Sequence, residues 1–386
     1  MAGQIIRRGG RTWLVRVFLG RDPNTGKRRY HNHTIKGTKK DAQRYVNGVL
    51  RDLDMGSFVE PTKMTLNSYL DHWLETSARP GVRQRTYDGY EGLLERHVRP
   101  SLGDCRLHQL ALIEIQSLYS NLQTRGLSAR TVRYVHAVLS SSLKQAVKWR
   151  MLSQNPASFV DLPRIEKKEM RAFSAEEATT FLEAAKEDRF GTLFAFALAT
   201  GMRPGEYLAL RWSDIDLQVG TATVVRSLVR CKNGSWEFEE PKTKNSRRTI
   251  PLPASLVTAV AEHKRAQAEE RLSKGPSYES QNLVFASSTG HPLDQINLVR
   301  RHFKPTLKSA GLPKEFRLYD LRHSCATLLL LAGENPKVVS ERLGHASITL
   351  TLDTYSHVLP SMQQRAAERL EAILFNKDAL SNAESG

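Results

Sequence analysis

The chain has 386 residues, with 57 Lys+Arg against 40 Asp+Glu, a formal net charge of +17 and a pI of about 9.9. This length allows two or three domains, and the positive field favours nucleic acid as partner, although anionic membranes also attract basic proteins. Cys105, Cys231 and Cys325 lack metal-ligand spacing, and the longest apolar stretches are far shorter than the roughly 20 residues of a membrane span. We expect a soluble intracellular protein.

Residues 1–56 predict a small sheet followed by a helix. Alternation at Trp13, Val15 and Val17 indicates a strand, the turn at 22–26 leads to a second strand at 30–35, and a capping box at 38–41 begins the helix.

The first 44 residues carry twelve Lys/Arg against two Asp, a net charge of +10. Because a strand ribbon fits the major groove and cations neutralise phosphates, we predict that this sheet contacts DNA. A merely solvated basic face is the alternative. The predicted contacts are Arg7, Arg8, Arg11, Arg16, Lys27, Arg28 and Arg29.

A helical domain is predicted at residues 64–158, after a linker at 56–61. Apolar periodicity and caps indicate four helices, at residues 66–75, 85–98, 110–123 and 128–149. Basic residues on their polar faces suit a module that clamps one side of a duplex. These predicted contacts are Arg83, Arg85, Arg130, Arg133 and Lys144.

A third domain, predicted at residues 172–376, follows a charged linker at 163–171. An apolar helix at 192–199 ends at Gly201, and Arg203-Pro204 begins the next helix. Strands at 221–227 and 236–239 flank Asn233-Gly234, a signal for a two-residue hairpin loop, and Lys242 is expected on the turn that leads to a strand at 248–250.

The segment from residue 316 to 355 predicts three helices that carry polar residues at their ends. The first spans 316–331 with Tyr319 and Arg322 on one face, and the second runs from the cap Asn335 to Gly344. His345 follows it, and a third short helix, capped by Ser347, carries Tyr355.

Taken singly, these residues have ordinary interpretations, such as a surface arginine, a helix-end histidine and a hairpin-tip lysine. In their order they resemble the signature of the tyrosine recombinases, also called phage integrases. The matching segments are TGMRPGE (Arg203), EPKTKNSRR (Lys242), YDLRH (Arg322), LGH (His345) and LDTYSHV (Tyr355). The family usually has histidine at the position of Tyr319.

The resemblance implies a role for each matching residue. Arg203, Arg322 and His345 would bind the scissile phosphate, since a guanidinium binds two oxygens and stays charged. Tyr355 would be the covalent nucleophile and Lys242 the general acid for the leaving 5′-oxygen.

Two further residues complete the predicted site. Glu206 would orient Arg203, and Tyr319 would position the phosphate or Tyr355 through one hydrogen bond, with the Tyr355 proton passing to solvent or to the phosphate. The chain has no phosphate-binding glycine loop, paired-carboxylate site or Cys/His cluster, so we expect neither cofactor nor metal.

The implied fold is multidomain and mainly α. It comprises an arm-type DNA-binding domain of sheet and helix (1–56), a four-helix core-binding domain (64–158), and an α-helical catalytic domain with a small three-stranded antiparallel sheet (172–376).

The implied function is site-specific recombination through a 3′-phosphotyrosine, which integrates and excises a prophage or other mobile element. A homotetramer on crossover and arm-type DNA sites, a directionality factor, and a location at the nucleoid in the bacterial cytoplasm are also expected. The tail (Met362, Ala366, Leu370, Ile373) would pack on a neighbouring protomer. A topoisomerase and a DNA-binding regulator without chemistry are the alternatives.

Overall fold

A computed structural model of the chain divides into two compact units, residues 1–167 and 168–386. Each unit is described by itself. Across the described parts of the chain, every helix is too short or too polar to cross a membrane. The described residues are 3–23, 25–56, 58–166, 170–241, 247–355, 367, 368, 370, 371 and 374.

The N-terminal region is an antiparallel sheet of β1 (Gly3–Gly9), β2 (Thr12–Arg21) and β3 (Arg28–Lys36), followed by α1 (Lys39–Asp54). The predicted capping box is present, because Thr38 and Asp41 exchange hydrogen bonds. One face of the sheet packs on α1 through a core centred on Val15, Val17 and Val46. The opposite face carries the alternate residues of each strand, Arg16 among them.

The next region contains four helices, as predicted. Its first two are α2 (Leu66–Trp73) and α3 (Gln84–Leu93), and the others are α4 (Leu112–Thr124) and α5 (Ala129–Lys148). Ser128 caps α5, as expected, and the apolar stripe of α5 lies in a core separate from that of the N-terminal sheet.

The predicted ends of the first two helices, at residues 75 and 98, are wrong. Each helix continues through a π-helical turn, Leu74–Ala78 or Leu94–Val98, and ends after a proline, at Gly81 or Leu102. A proline inside an α-helix lacks an N–H and crowds the carbonyl four residues earlier. The wider turn relieves that conflict, because the residue before each proline donates its N–H five residues back.

The second unit begins with α6 (Ala175–Ala185), α7 (Gly191–Thr200) and the single turn α8 (Pro204–Tyr207). Ser174 caps α6 through the predicted capping box, and Gly201 ends α7 in the left-handed conformation. The buried face of α7 lies in the main core of the unit.

Two small antiparallel sheets follow. The three-stranded sheet has the order β4 (Ile215–Asp216), β5 (Thr221–Val224) and β8 (Arg248–Pro251), while β6 (Ser227–Arg230) pairs with β7 (Trp236–Glu239).

Two strand predictions need correction. The segment predicted as one strand at 221–227 is divided between the two sheets, so β5 ends at Val224. The hairpin has three loop residues rather than two, because Cys231 N–H bonds to the Ser235 carbonyl and Gly234 takes a positive φ between them.

The remaining helices are α9 (Ala254–Lys274), α10 (Gln295–Leu298), α11 (Asp320–Leu331), α12 (Pro336–Leu343) and α13 (Ile348–Tyr355). A π-helical turn at Val299–Phe303 and a helix at Lys304–Ser309 continue α10, again before a proline.

The first of the three C-terminal helices begins at Asp320 rather than at residue 316. The Asp320 carboxylate accepts the N–H of Arg317, and this turn delays the helix. Asn335, Gly344 and Ser347 act at the helix ends where the sequence predicts them.

Candidate active site

Arg322 is the most buried of the described charged residues in the predicted site, at 2% exposure. It lies in the first turn of α11, and its Nη1 donates to the Gly201 carbonyl at 2.7 Å. Its Nη2 is buried without a hydrogen-bond partner in the described protein. A buried donor left unpaired costs free energy, so Nη2 is a group prepared for an acceptor from a ligand.

Gly201, which accepts from Arg322, lies two residues before the second arginine of the site, Arg203. Its φ of +64° favours glycine, and a Cβ there would lie 2.7 Å from Leu343 Cδ2 and 3.1 Å from Cys325 Sγ. The close approach brings the end of α7 against α11 and α12. Arg203, two residues later, therefore enters the same site.

Glu206 joins two arginines. Its carboxylate accepts from Arg203 Nη1 at 2.8 Å and from Arg248 Nη2 at 2.9 Å, and the Glu206 and Arg248 side chains are 6% and 7% exposed. Burial acts to raise the pKa of Glu206, but the hydrogen bond and charge of Arg248 and the charge of Arg203 outweigh it and lower that pKa. The carboxylate stays ionised and fixes both guanidinium groups.

His345 is positioned by the C-terminal end of α12, which it follows by two residues. Gly344 has a φ of +66°, and the His345 N–H bonds back to the Ser340 carbonyl at 3.0 Å, which closes a Schellman-type turn. Thr351, in α13, lies 2.7 Å from His345 Nδ1 through its hydroxyl. One ring nitrogen is thus held, and the other remains for a ligand.

Tyr355 ends α13 and is 1% exposed. Its ring packs in a small core with Leu330, Val339 and Leu343, from α11 and α12. Its hydroxyl lies 2.9 Å from Nδ1 of His323, the residue after Arg322.

Two other predicted site residues, Tyr319 and Lys242, are not part of this buried cluster as the structure describes it. Tyr319 is 37% exposed, and its ring meets the His323 ring edge-on at a centroid distance of 5.1 Å. Of the two partners expected for Tyr319, the phosphate or Tyr355, the described residues show no hydrogen bond to Tyr355, whose hydroxyl lies against His323 instead. Lys242 lies outside the described residues.

The charges of the site act on one another. Burial, and then the charge of Arg203, lower the pKa of Arg322 to about 10. Burial, and then the charges of Arg322, Arg203 and Arg248, lower the pKa of His345 to about 4. Burial raises the pKa of the Tyr355 hydroxyl. The site therefore has a strong positive field and a neutral nucleophile, a setting that favours an entering anion.

The predicted DNA contacts in the first unit differ in their surroundings. Arg16 lies on the open face of the sheet, where its Nε donates to Asn32 Oδ1 at 3.1 Å and its guanidinium stands over the Tyr30 ring at 5.1 Å. Arg29 pairs with Glu60 at 2.6 Å, and Arg133 donates to the Pro163 carbonyl at 2.7 Å. The exposed ones are Arg7, Arg8, Arg11, Lys27, Arg28, Arg83, Arg85, Arg130 and Lys144.

Sequence reasoning missed two residues of the site, His323 and Arg248. Both lie inside the motif segments: His323 is the last residue of YDLRH, and Arg248 is the last residue of EPKTKNSRR. Arg248 also donates from Nε to the Arg342 carbonyl at 2.6 Å, which supports the turn before His345. Groups of three or more metal-ligating side chains are not found in the described residues.

Two family models match the chain. The model of the phage integrase family covers residues 164–362, just over half of the chain, and the model of the phage integrase N-terminal SAM-like domain covers residues 65–123. The chain belongs to the phage integrase family. It is therefore a site-specific tyrosine recombinase, an enzyme of mobile genetic elements that cuts and rejoins DNA, as the motif order predicts.

Full-length relatives agree with this assignment. A "Tyrosine recombinase XerC-like" protein of Caldanaerobacter subterraneus subsp. tengcongensis is 32% identical over 387 residues, which cover 95% of this chain and 97% of the relative. An "Integrase" of Streptomyces ambofaciens is 32% identical over 94% of this chain and 93% of the relative.

Solved structures confirm the predicted fold class. The Tn1549 transposon integrase in complex with transposon right end DNA has a TM-score of 0.68 at 23% identity, over 80% of this chain and all of that chain. A lambda integrase tetramer bound to a Holliday junction has a TM-score of 0.57 at 21% identity, over 89% of this chain and 96% of that one.

Proposed function

We propose that Arg203, Arg322 and His345 bind the scissile phosphate and that Tyr355 attacks it to form a 3′-phosphotyrosine. The observation that carries this proposal is the unpartnered, buried Nη2 of Arg322, because an arginine fixed at Nη1 and unsatisfied at Nη2 fits a phosphate oxygen. The positive field of Arg203, Arg248 and Arg322 would stabilise the charge that develops on the non-bridging oxygens of the phosphate.

Glu206 acts through the arginines rather than on the DNA. Its carboxylate holds Arg203 and Arg248 at once, so the guanidinium groups lose little conformational entropy when phosphate enters. Lys242 is the proposed general acid for the departing 5′-oxygen. Since the phosphotyrosine retains the energy of the phosphodiester, a second DNA end can reseal it without ATP or metal.

Residues 1–56 are proposed to bind an arm-type site with the open face of the sheet. Arg16 is paired across the strands with Gln4 on one side and Asn32 on the other, so three hydrogen-bonding side chains form a row across this face. Such side chains read base edges in a major groove, while the neighbouring exposed cations contact phosphates.

The three regions would form domains at 1–56, 64–158 and 172–376, with the four-helix region binding the crossover site from one side. A homotetramer that joins two DNA sites and exchanges strands through a four-way junction is the proposed assembly. It would integrate and excise its element, with a directionality factor that sets the preferred direction.

A suicide duplex with a nick near the crossover tests the chemistry. The wild-type protein should form a covalent adduct, in excess chelator as well, and Tyr355→Phe should bind the same duplex without an adduct. An adduct from Tyr355→Phe would overturn the choice of nucleophile. Products that join two sites distinguish a recombinase from a topoisomerase, and binding without any adduct would favour the regulator.

A further inference from the structure

The Tyr355 hydroxyl has one hydrogen-bond partner among the described residues, Nδ1 of His323 at 2.9 Å. Both side chains are buried, at 1% and 8% exposure, and their ring centroids are 5.9 Å apart. This contact joins residues 32 positions apart in the chain, and it lies one residue from Arg322.

We propose that His323 takes the proton of Tyr355 during DNA cleavage. Position 319, where the family usually has histidine, is a tyrosine in this chain, so another group is needed for this role. The proposal rests on the proposed function of Tyr355 as nucleophile. His323 would then be a catalytic residue, because it touches the reacting oxygen.

The proposed step balances as follows. The O–H bond of Tyr355 breaks as its oxygen bonds to phosphorus, and the proton moves to Nδ1 of His323. The bond from phosphorus to the 5′-oxygen breaks, and that oxygen takes a proton from the general acid. In the resealing step the 5′-hydroxyl attacks the phosphotyrosine and gives its proton back to the general acid, while the imidazolium returns its proton to Tyr355.

The surroundings of His323 keep its ring in the neutral form, which is the form that can accept a proton. Burial lowers its pKa to about 4, with Arg317 and Arg322 acting in the same direction and Asp320 against them, so the ring is neutral at pH 7. A neutral ring that carries its proton on Nε2 offers Nδ1 as an acceptor for the Tyr355 O–H. A phosphate bound beside Arg322 would add negative charge, which raises the proton affinity of the ring at the moment of attack.

Among the described side chains, only His323 has a hydrogen bond to the Tyr355 hydroxyl. Tyr319 contacts the ring edge of His323 rather than the Tyr355 hydroxyl. His345 Nδ1 is held by Thr351, and the Asp320 carboxylate is held by Arg317.

The first test is single-turnover cleavage of the suicide duplex by His323→Asn and His323→Ala. Asn can accept a hydrogen bond but cannot take a proton, so both variants should cleave about 10²- to 10³-fold more slowly while binding DNA as the wild type does. Added imidazoles should partly restore His323→Ala, with rates that depend on the pKa of the added base. Circular dichroism checks that both variants fold.

Several outcomes would overturn the proposal. Cleavage by His323→Asn within about threefold of the wild-type rate would mean that the proton goes elsewhere, since general-base catalysis contributes much more than that. Faster cleavage would make the contact a latch that restrains Tyr355. Absence of any rescue by imidazoles in a correctly folded His323→Ala would leave a structural role.

A duplex with sulphur in place of the bridging 5′-oxygen separates His323 from the general acid. A thiolate leaves without a proton, so this substrate should restore a Lys242→Ala variant and leave His323→Asn slow. Restoration of His323→Asn would assign it to the leaving group instead. Tyr319→Phe is the matched control, expected to slow cleavage by no more than about tenfold, because it removes one hydroxyl and keeps the ring. Loss of adduct in Tyr355→Phe tests the underlying function separately.

Discussion

The two basic regions of this recombinase use arginine in opposite ways. At the active site, Arg322 and Arg248 are almost fully buried, and each has a backbone carbonyl or a carboxylate as a fixed partner. In the N-terminal sheet the cations are mostly exposed, and Arg8 and Arg11 stand in solvent. The active site holds a few guanidinium groups in fixed orientations, whereas the N-terminal sheet supplies many cations with little fixed geometry.

The difference has consequences for energy. An exposed cation contributes to binding through released counterions, and one can replace another. A buried guanidinium acts in a medium of lower dielectric, where geometry decides its contribution and Lys is a poor substitute for Arg. Substitutions should therefore be severe and specific at the active site, and mild and additive in the sheet.

The largest effect is expected for Arg322→Lys. Lysine cannot donate to the Gly201 carbonyl and to a phosphate oxygen with one rigid fork, so the cleavage rate should fall about 10³-fold. Single-turnover cleavage of the suicide duplex measures this. Arg265→Lys, at an exposed position of α9, is the control and should cleave normally. Equal rates for the two variants would remove the distinction between buried and exposed arginines.

The next effect is expected for Glu206→Gln, which leaves two guanidinium groups without their shared carboxylate. Breaking a buried ion pair of this kind costs about 3 kcal/mol, so the free energy of unfolding should fall by that order and cleavage should slow. Glu183→Gln, which removes an exposed pair with Lys186, is the matched control and should change stability little. Denaturant unfolding compares the two variants, and similar losses would mean that burial of the pair is unimportant.

Much of this fold follows from local sequence. Thr38, Ser174 and Asn335 cap helices where their side chains and following residues predict caps, since the hydrogen bonds concerned span two or three residues. The glycine ends at Gly201 and Gly344 follow from the same local chemistry. The motif order also predicted that Arg322 and Tyr355 share one site, and in the structure the two side chains are close enough for the charge of Arg322 to act on the Tyr355 hydroxyl.

The missed features depend on contacts between distant segments or on departures from α-helical geometry. The first two helices of the four-helix region run past their predicted ends, because a π-helical turn accommodates Pro80 or Pro100 in each of them. The pair of His323 and Tyr355 joins α11 to α13, and the Glu206 carboxylate meets Arg248 across 42 residues. Periodicity identifies buried faces, yet it does not tell which polar groups meet on them.

A smaller effect is expected in the pH dependence of stability. His323 has a folded pKa of about 4 against 6.5 for the unfolded chain, so between these values the unfolded state binds more protons and stability falls as the pH falls. In His323→Asn the loss of unfolding free energy between pH 7 and pH 5 should be smaller by roughly 2 kcal/mol. Carboxylates contribute equally to both proteins, and identical pH profiles would contradict the buried, neutral imidazole.

The smallest effect is expected in the N-terminal sheet, from Lys27→Ala and Arg28→Ala at exposed positions where the chain enters β3. Each substitution should reduce the slope of log affinity against log salt by about 0.9 if its cation contacts a phosphate, and the two losses should add. Arg29→Ala, whose guanidinium already pairs with Glu60, should reduce the slope less. Binding to arm-type DNA across a salt series measures the slopes, while suicide-duplex cleavage should stay unchanged in all three variants. A loss of cleavage would mean that the sheet contributes to the chemistry. Slopes equal to the wild-type slope in every variant would mean that these cations are only solvated and contact no phosphate.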